Sequence, residues 1–237
     1  MHPEITLIKY ADDTTILVEV PRDLPDNSNL ALDQFFEWTE NNSMSCNTAK
    51  CKELVLRKKG NKSVYPVISN IKRHNSIKLL GVTLQENSKF SVHIKSKLSE
   101  ANKCLYAIRS LRKEGFTQDE VDHLFNAIVM PKIIYGLPVY GASPPDLNIV
   151  QQFLSRCYKR RYISRYYNIY ELLKHHDQRL FDKIIVDRHP LHKFLTPYSE
   201  YSKHRLRSKY TSKPIINTER FKNSYFNRLI FRYNLGV

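Results

Sequence analysis

The spacing of apolar residues changes near residue 90, and this change constrains the fold more than any other feature. Before it lie short runs rich in β-branched residues: Ile5-Thr6-Leu7-Ile8, Thr14-Thr15-Ile16-Leu17-Val18-Glu19-Val20, Glu53-Leu54-Val55-Leu56 and Ile77 to Leu84. Runs of this length and composition read as strands. After it, Ile94, Leu98, Ala101, Leu105 and Ile108 follow one another at four, three, four and three residues, the stripe of an amphipathic helix. Strands followed by helices, without regular alternation, predict an α+β chain.

Local signals refine this pattern. Pro21 and Pro25 with Asp26-Asn27-Ser28 end the first strand pair and supply N-cap residues for a helix whose inner face is Leu32, Phe35, Phe36 and Thr39, closed by Asn41-Asn42-Ser43. One or two further strands are expected between Val64 and Ile71, and a single strand across Ile77–Leu84. The unit up to residue 90 thus reads as one helix on an antiparallel sheet. Gly115 stops the long helix, and Thr117-Gln118-Asp119-Glu120 has the form of a capping box. Val121, Leu124, Phe125, Ile128 and Val129 form the inner face of the next helix, which Pro131 kinks or ends. Pro144-Pro145-Asp146 opens another, with Ile149, Val150, Phe153 and Leu154 inside.

Charge is divided unevenly along the 237 residues. Residues 1–50 hold three Lys/Arg against nine Asp/Glu, a balance of −6; the whole chain carries +15, so residues 51–237 hold 35 against 14, or +21. An acidic start followed by a long basic stretch suits a polyanionic partner, the plainer reading being a solvated basic surface. No apolar run is long enough to span a bilayer, so no membrane partner is expected beyond weak attraction to an anionic surface. With 41% hydrophobic residues the chain can bury one sizeable core or two small ones. Cys46, Cys51, Cys104 and Cys157 are scattered and follow no secretory signal, which predicts free thiols in a reducing intracellular setting. Zinc is not expected, because His175, His176, His189 and His192 lack cysteines at finger spacing. No Walker loop, dinucleotide-binding glycine pattern or nucleophilic triad can be read from spacing.

Tyr10-Ala11-Asp12-Asp13 lies between the first two strand runs, which predicts a hairpin with both aspartates at its tip. Mg²⁺ takes hard oxygen ligands, commonly one or two protein carboxylates completed by water and phosphate, and Asp12 and Asp13 are of that kind. An ordinary turn is the competing reading, since Asp is common there.

In this order the elements resemble the reverse transcriptase of non-LTR (LINE-type) retrotransposons, from the last part of the polymerase palm through the thumb, over roughly residues 4–160. Tyr10-Ala11-Asp12-Asp13 matches that family's motif C. Asn47, Lys50 and the apolar strand after them are similar to motif D, and Lys78-Leu79-Leu80-Gly81-Val82 to motif E. Phe90, His93-Ile94, Leu111-Arg112, Ile133-Ile134-Tyr135-Gly136 and Val139-Tyr140-Gly141 are similar to the thumb and the segment after it. The resemblance implies three regions: a partial palm over 1–90, a helical thumb over 91–158, and a basic, Tyr-rich, helical or partly disordered region over 159–237.

It also implies a chemistry, nucleotidyl transfer to a primer 3′ hydroxyl with two metal ions, Mg²⁺ by resemblance, on an RNA template and DNA primer. Asp12 takes the main metal-ligand role and Asp13 a secondary one, while Lys50 steadies or protonates pyrophosphate; Lys52 competes for that role, and a plain loop lysine is the bland alternative. Tyr10 packs in the sheet or beneath nucleic acid, and Lys78, Leu80 and Gly81 support the primer. Lys95, Lys103 and Arg109, off the apolar stripe of their helix, face phosphates. Lys159-Arg160-Arg161-Tyr162 and Arg165-Tyr166-Tyr167 interleave cations with aromatics in the manner of single-strand binding grooves, or form a tyrosine-rich helix pair with a charged outer face. The family's further metal-binding aspartate, in motif A, and its fingers have no counterpart here, and Asp177, Asp182 and Asp187 read as solvated or salt-bridged instead. The expectation is therefore a fragment inactive by itself, the alternative being a non-catalytic nucleic-acid-binding remnant, in either case cytoplasmic or nuclear.

Overall fold

The computed structural model describes residues 5–21, 25–57, 60, 63–68, 70–192 and 219–233. Part of the basic, Tyr-rich region expected over 159–237 falls outside them. The chain divides into two compact units, Met1–Ser88 and Lys89–Val237.

In the first unit β1 (Ile5–Tyr10) and β2 (Asp13–Val18) form an antiparallel hairpin in the register Tyr10↔Asp13 to Ile5↔Val18. Helix α1 (Ser28–Asn41) contacts β2 and turns inward the expected face, Ala31 and Thr39 being buried and Leu32, Phe35 and Phe36 half-buried. The expected common antiparallel sheet is not present among the described residues. Three separate two-stranded pairs take its place, and β3 (Lys52–Glu53) with β4 (Lys72–Arg73) is parallel. That pair is clamped by side chains: Arg73 donates to both oxygens of Glu53 at 2.7 Å and to the carbonyls of Tyr65 and Pro66. Four hydrogen bonds donated by one guanidinium reinforce this two-residue ladder.

The single strand read across Ile77–Leu84 is instead a hairpin of β5 (Ser76–Leu79) and β6 (Val82–Gln85). Leu80 and Gly81 form its two-residue loop with φ of 45° and 82°. Positive φ at both loop positions is the signature of the tight turn whose twist matches that of paired strands. Gly81 accepts it freely; Leu80 does not, which is why the break is hidden in the apolar pattern.

The second unit holds the cores. Helix α2 (Ser91–Lys113) buries Ile94, Ala101, Leu105 and Ile108 as spaced, with Leu98 partly buried beside them. Gly115, at φ 97°, ends it: the Gly115 N–H donates to Arg112 O and the Phe116 N–H to Leu111 O, satisfying carbonyls of the last turn. The capping box then starts α3 (Gln118–Leu124), the Glu120 N–H donating to Thr117 Oγ1 and the Thr117 N–H to Glu120 at 2.8 Å. Upstream of Pro131 the helix does not break; Phe125–Val129 widens into a π-helical turn and α4 (Met130–Ile134) continues. The wider turn accommodates the missing proline N–H.

Gly136 and Gly141, both left-handed, bracket the short α5 (Leu137–Tyr140). Ser143 caps α6 (Pro144–Lys159), which buries Leu147, Val150, Phe153, Leu154 and Cys157. Ile149, expected inside, is instead 38% exposed because it lies about 100° from Val150 around the helix. Asn168 caps α7 (Ile169–Ile184). One core runs from Ile94 through Phe125 and Phe153 to Leu173 and so crosses residue 159. A second gathers Phe181 and Ile184 with Tyr225 and Leu229 after the short α8 (Glu219–Asn223), from α9 (Tyr225–Tyr233).

Candidate metal turn and cationic faces

Asp12 lies in the two-residue loop between β1 and β2 and Asp13 is the first residue of β2, so only Asp12 is at the tip and Asp13 sits on its β2 side. Both are exposed. Ala11 makes the turn at φ 52°, a conformation uncommon for a residue with a Cβ. Asp13 stands opposite Tyr10 across the strands, which puts the 64%-exposed tyrosine and this carboxylate on one face. The donor set is two hard, solvent-facing oxygen groups. Among the described residues no cluster of three or more His, Cys, Asp or Glu forms a metal site.

All of β1 is open: Ile5, Leu7, Ile8 and Tyr10 are exposed although they alternate onto both faces. A strand apolar on both sides reads as one covered on both sides. Within the first unit only Ala31, Ile71 and Thr39 are buried among the described residues.

Lys50, the residue that resembles a motif D lysine, ends a 3-10 turn over Thr48–Lys50 and is exposed. Lys78 projects from the open side of β5, while Leu80 and Gly81 occupy the β5–β6 loop.

In the second unit Lys95 and Lys103 face solvent on α2 as expected. Arg109 is partly committed: its Nε and Nη2 donate to the Tyr162 hydroxyl at 3.1 and 2.9 Å. Tyr162 itself, expected among the interleaved aromatics, is 6% exposed and belongs to the core. Lys159, Arg160 and Arg161 are exposed. Arg112 holds that corner by donating to the carbonyls of Arg160 and Arg161. Arg161 has φ 56°, and the Arg161 and Tyr162 N–H groups donate back to Tyr158 O and Cys157 O at 2.9 Å, closing α6 as a glycine cap would.

Two residues escaped the sequence reading. Tyr158 is exposed on α6 and meets Tyr166 edge to face, ring centroids 5.6 Å apart. Gln151 donates to the Tyr166 hydroxyl at 3.0 Å and to Tyr167 O at 3.1 Å, and accepts from the Ile169 N–H at 2.8 Å. Tyr158 and Tyr162 are four residues apart in sequence, one in the last turn of α6 and the other beyond the reversal at Arg161, and one is exposed while the other is buried.

Comparison with known proteins bears out the recognition made on the motifs. The chain is 27% identical over 165 residues to the RNA-directed DNA polymerase from mobile element jockey of Drosophila melanogaster, a non-LTR retrotransposon. The match takes in 66% of the chain and spans 18% of that protein's length. No family model matches the chain. No solved structure matches it either.

Proposed function

We propose that the chain is part of an RNA-directed DNA polymerase of a non-LTR retrotransposon, contributing the motif C, D and E portion of the palm and a helical thumb. The similarity to the jockey polymerase, together with an Asp-Asp pair at a strand turn, carries this reading. Asp12 is the main metal-ligand carboxylate and Asp13 the second; Mg²⁺ bound there would supply charge stabilisation for nucleotidyl transfer. Lys50 would steady the leaving pyrophosphate from its exposed turn. Tyr10, Lys78, Leu80 and Gly81 would contact or support the primer, and Lys95, Lys103, Arg109, Lys159, Arg160 and Arg161 the phosphates of template and primer. An intracellular place, cytoplasmic or nuclear, goes with the same reading.

The chain by itself does not polymerise in this proposal. Asp12 and Asp13 gain no third carboxylate among the described residues, and the apolar faces of β1 are open where polymerase polypeptide would cover them. Purified protein given primer, RNA template, Mg²⁺ and nucleotides should yield no extension. Product that vanishes with Asp12→Ala would overturn the inactivity while supporting the family chemistry. The second reading, a nucleic-acid-binding remnant without catalysis, is favoured by the exposed cations of α2 and α6. Either way, affinity for RNA and DNA should fall steeply as salt rises, and absence of binding at low salt would remove both readings.

A further inference from the structure

We infer that Tyr158 and Tyr166, with the cationic groove of α6 beside them, take the unpaired bases of a single-stranded nucleic acid. This rests on the nucleic-acid reading above and narrows it to strand type and to one patch of the second unit.

The groove is a shallow, open depression of about 420 Å³ along one side of α6, lined by Gln151, Gln152, Ser155, Arg156, Lys159 and Arg160. Arg156 and Arg160 follow one another by one helical turn, about 6 Å along the axis. Among the described residues no carboxylate lies within ion-pair distance of Arg156, Lys159, Arg160, Arg161 or Arg165. Three of these, Arg156, Lys159 and Arg160, line the groove together without counter-charges, and in a chain of +15 they hold a strong attraction for phosphate.

Phosphate attraction alone would not distinguish duplex from single strand; the tyrosines do. Tyr158 and Tyr166 are 42% and 53% exposed, in contrast to Tyr162 in the core. Their edge-to-face contact leaves ring surface for a third aromatic ring. Gln151 ties the two halves of the patch together, since it lines the groove and also donates to the Tyr166 hydroxyl. Both ends of its amide are engaged, so Tyr166 is held before any ligand arrives. A fixed, exposed tyrosine pair beside unpaired cations is the arrangement that stacks bases and tracks a backbone. Bases inside a duplex keep their faces against one another and have none to offer.

The test uses the full chain and fluorescence anisotropy with three probes of equal length: a DNA single strand, its duplex, and the same single strand with abasic sites. Tyr158→Leu should weaken binding of the single strand about tenfold and leave the duplex and abasic strand within twofold. Tyr158→Phe, which keeps the ring, should restore single-strand affinity, and thermal melting of each variant reports whether it folds. If abasic and normal strands bind alike, or Tyr158→Leu weakens all three probes equally, the stacking assignment is overturned while nucleic-acid binding survives. If none of the probes binds at low salt, the broader reading fails with it.

Discussion

Arg228 fills the space that a side chain at residue 141 would need. Its Nη1 lies 2.0 Å from where a Cβ on Gly141 would sit, and Asn223 O lies 2.4 Å away. From there the guanidinium donates to both oxygens of Asp177, at 2.8 and 2.7 Å, and to the carbonyls of Asn223 and Pro138. Asp177 and Arg228 are both fully buried, and the Tyr225 hydroxyl donates to Asp177 O at 3.2 Å. One arginine therefore joins α5, α7 and α9. Gly141 is left-handed as well as crowded, so the close approach and the backbone angle both demand glycine.

Removing one partner leaves the other charge buried without compensation. Arg228→Met or Asp177→Asn should lower stability by about 3–5 kcal/mol in urea unfolding, and the double variant Asp177→Leu/Arg228→Met by less than the sum. Gly141→Ala should lower it too, because the crowded Asn223 O is backbone and cannot simply swing away. A loss below about 1 kcal/mol for Arg228→Met would show that the clasp does not hold α9.

Asp122 on α3 accepts hydrogen bonds from the Ser164 N–H at 2.9 Å, the Ser164 hydroxyl and Gln118 Nε2 at 2.8 Å. Burial works against its charge, yet these bonds, with the nearby His123, hold its carboxyl below the ordinary 3.8. A depressed folded-state value stabilises the fold above the unfolded value and ceases to do so as pH falls through the folded one. At pH 6 Asp122→Asn should therefore be less stable than the parent, by about 1 kcal/mol for the weakened bonds. The gap should narrow below pH 3.8. A gap constant from pH 6 to pH 2.5 in thermal melts would refute the linkage.

Where the fold was legible, local chemistry spelled it. The α2 stripe needs only a repeating interval, and the Thr117–Glu120 box spans four residues whose bonds close on themselves. Asp12 likewise sits at its turn because two apolar strands leave a polar interval between them. Non-local pairings were hidden. Nothing near Asp177 names Arg228 as its partner 51 residues on, and nothing near Glu53 names Arg73, 20 residues on, as the side chain that clamps the parallel β3–β4 pair. Tyr162 was open for the same reason: composition allows either an aromatic among binding cations or a member of a tyrosine-rich helix pair, and the reversal at Arg161, which turns it into the core, decides between them.

Cys157 should be the thiol least open to reagents. It is buried in α6, and burial pushes it up to about 11 against the partial counter-effect of Arg156 and Arg160. A thiol raised from the ordinary 9.0 to about 11 holds far less of the reactive thiolate at a given pH. Alkylation of the native protein at pH 8, followed by mass mapping, should leave Cys157 unmodified while Cys46 and Cys104 react; in denaturant all four should react. Modification of native Cys157 at the rate of Cys104 would contradict its burial.

Leu80 bears backbone strain at the turn that resembles motif E. With φ at 45° it occupies a region that disfavours side chains by about 1–2 kcal/mol, and asparagine tolerates it far better. Leu80→Asn should raise stability by about 1 kcal/mol, and Gly81→Val, at φ 82°, should lower it by more. Equal melting temperatures for parent and Leu80→Asn would mean that the apolar side chain offsets the strain by packing.

Arg161 poses the same question with a functional side. It closes α6 at φ 56°, in the position where glycine is the least strained residue, and its charge faces solvent beside Arg160. A residue with no phosphate to contact would gain from replacement by glycine and lose nothing. If Arg161 contacts phosphate, the two effects separate. Arg161→Gly should raise stability by about 1 kcal/mol through the relieved backbone, and should weaken binding to single-stranded and duplex probes alike. The slope of log affinity against log salt should become shallower by about one, because one fewer counterion is released. The separation matters more than either number. A variant more stable than the parent yet weaker in binding cannot owe that weakness to misfolding, whereas unchanged affinity and slope would remove Arg161 from the phosphate-contacting set and leave it as a cap alone.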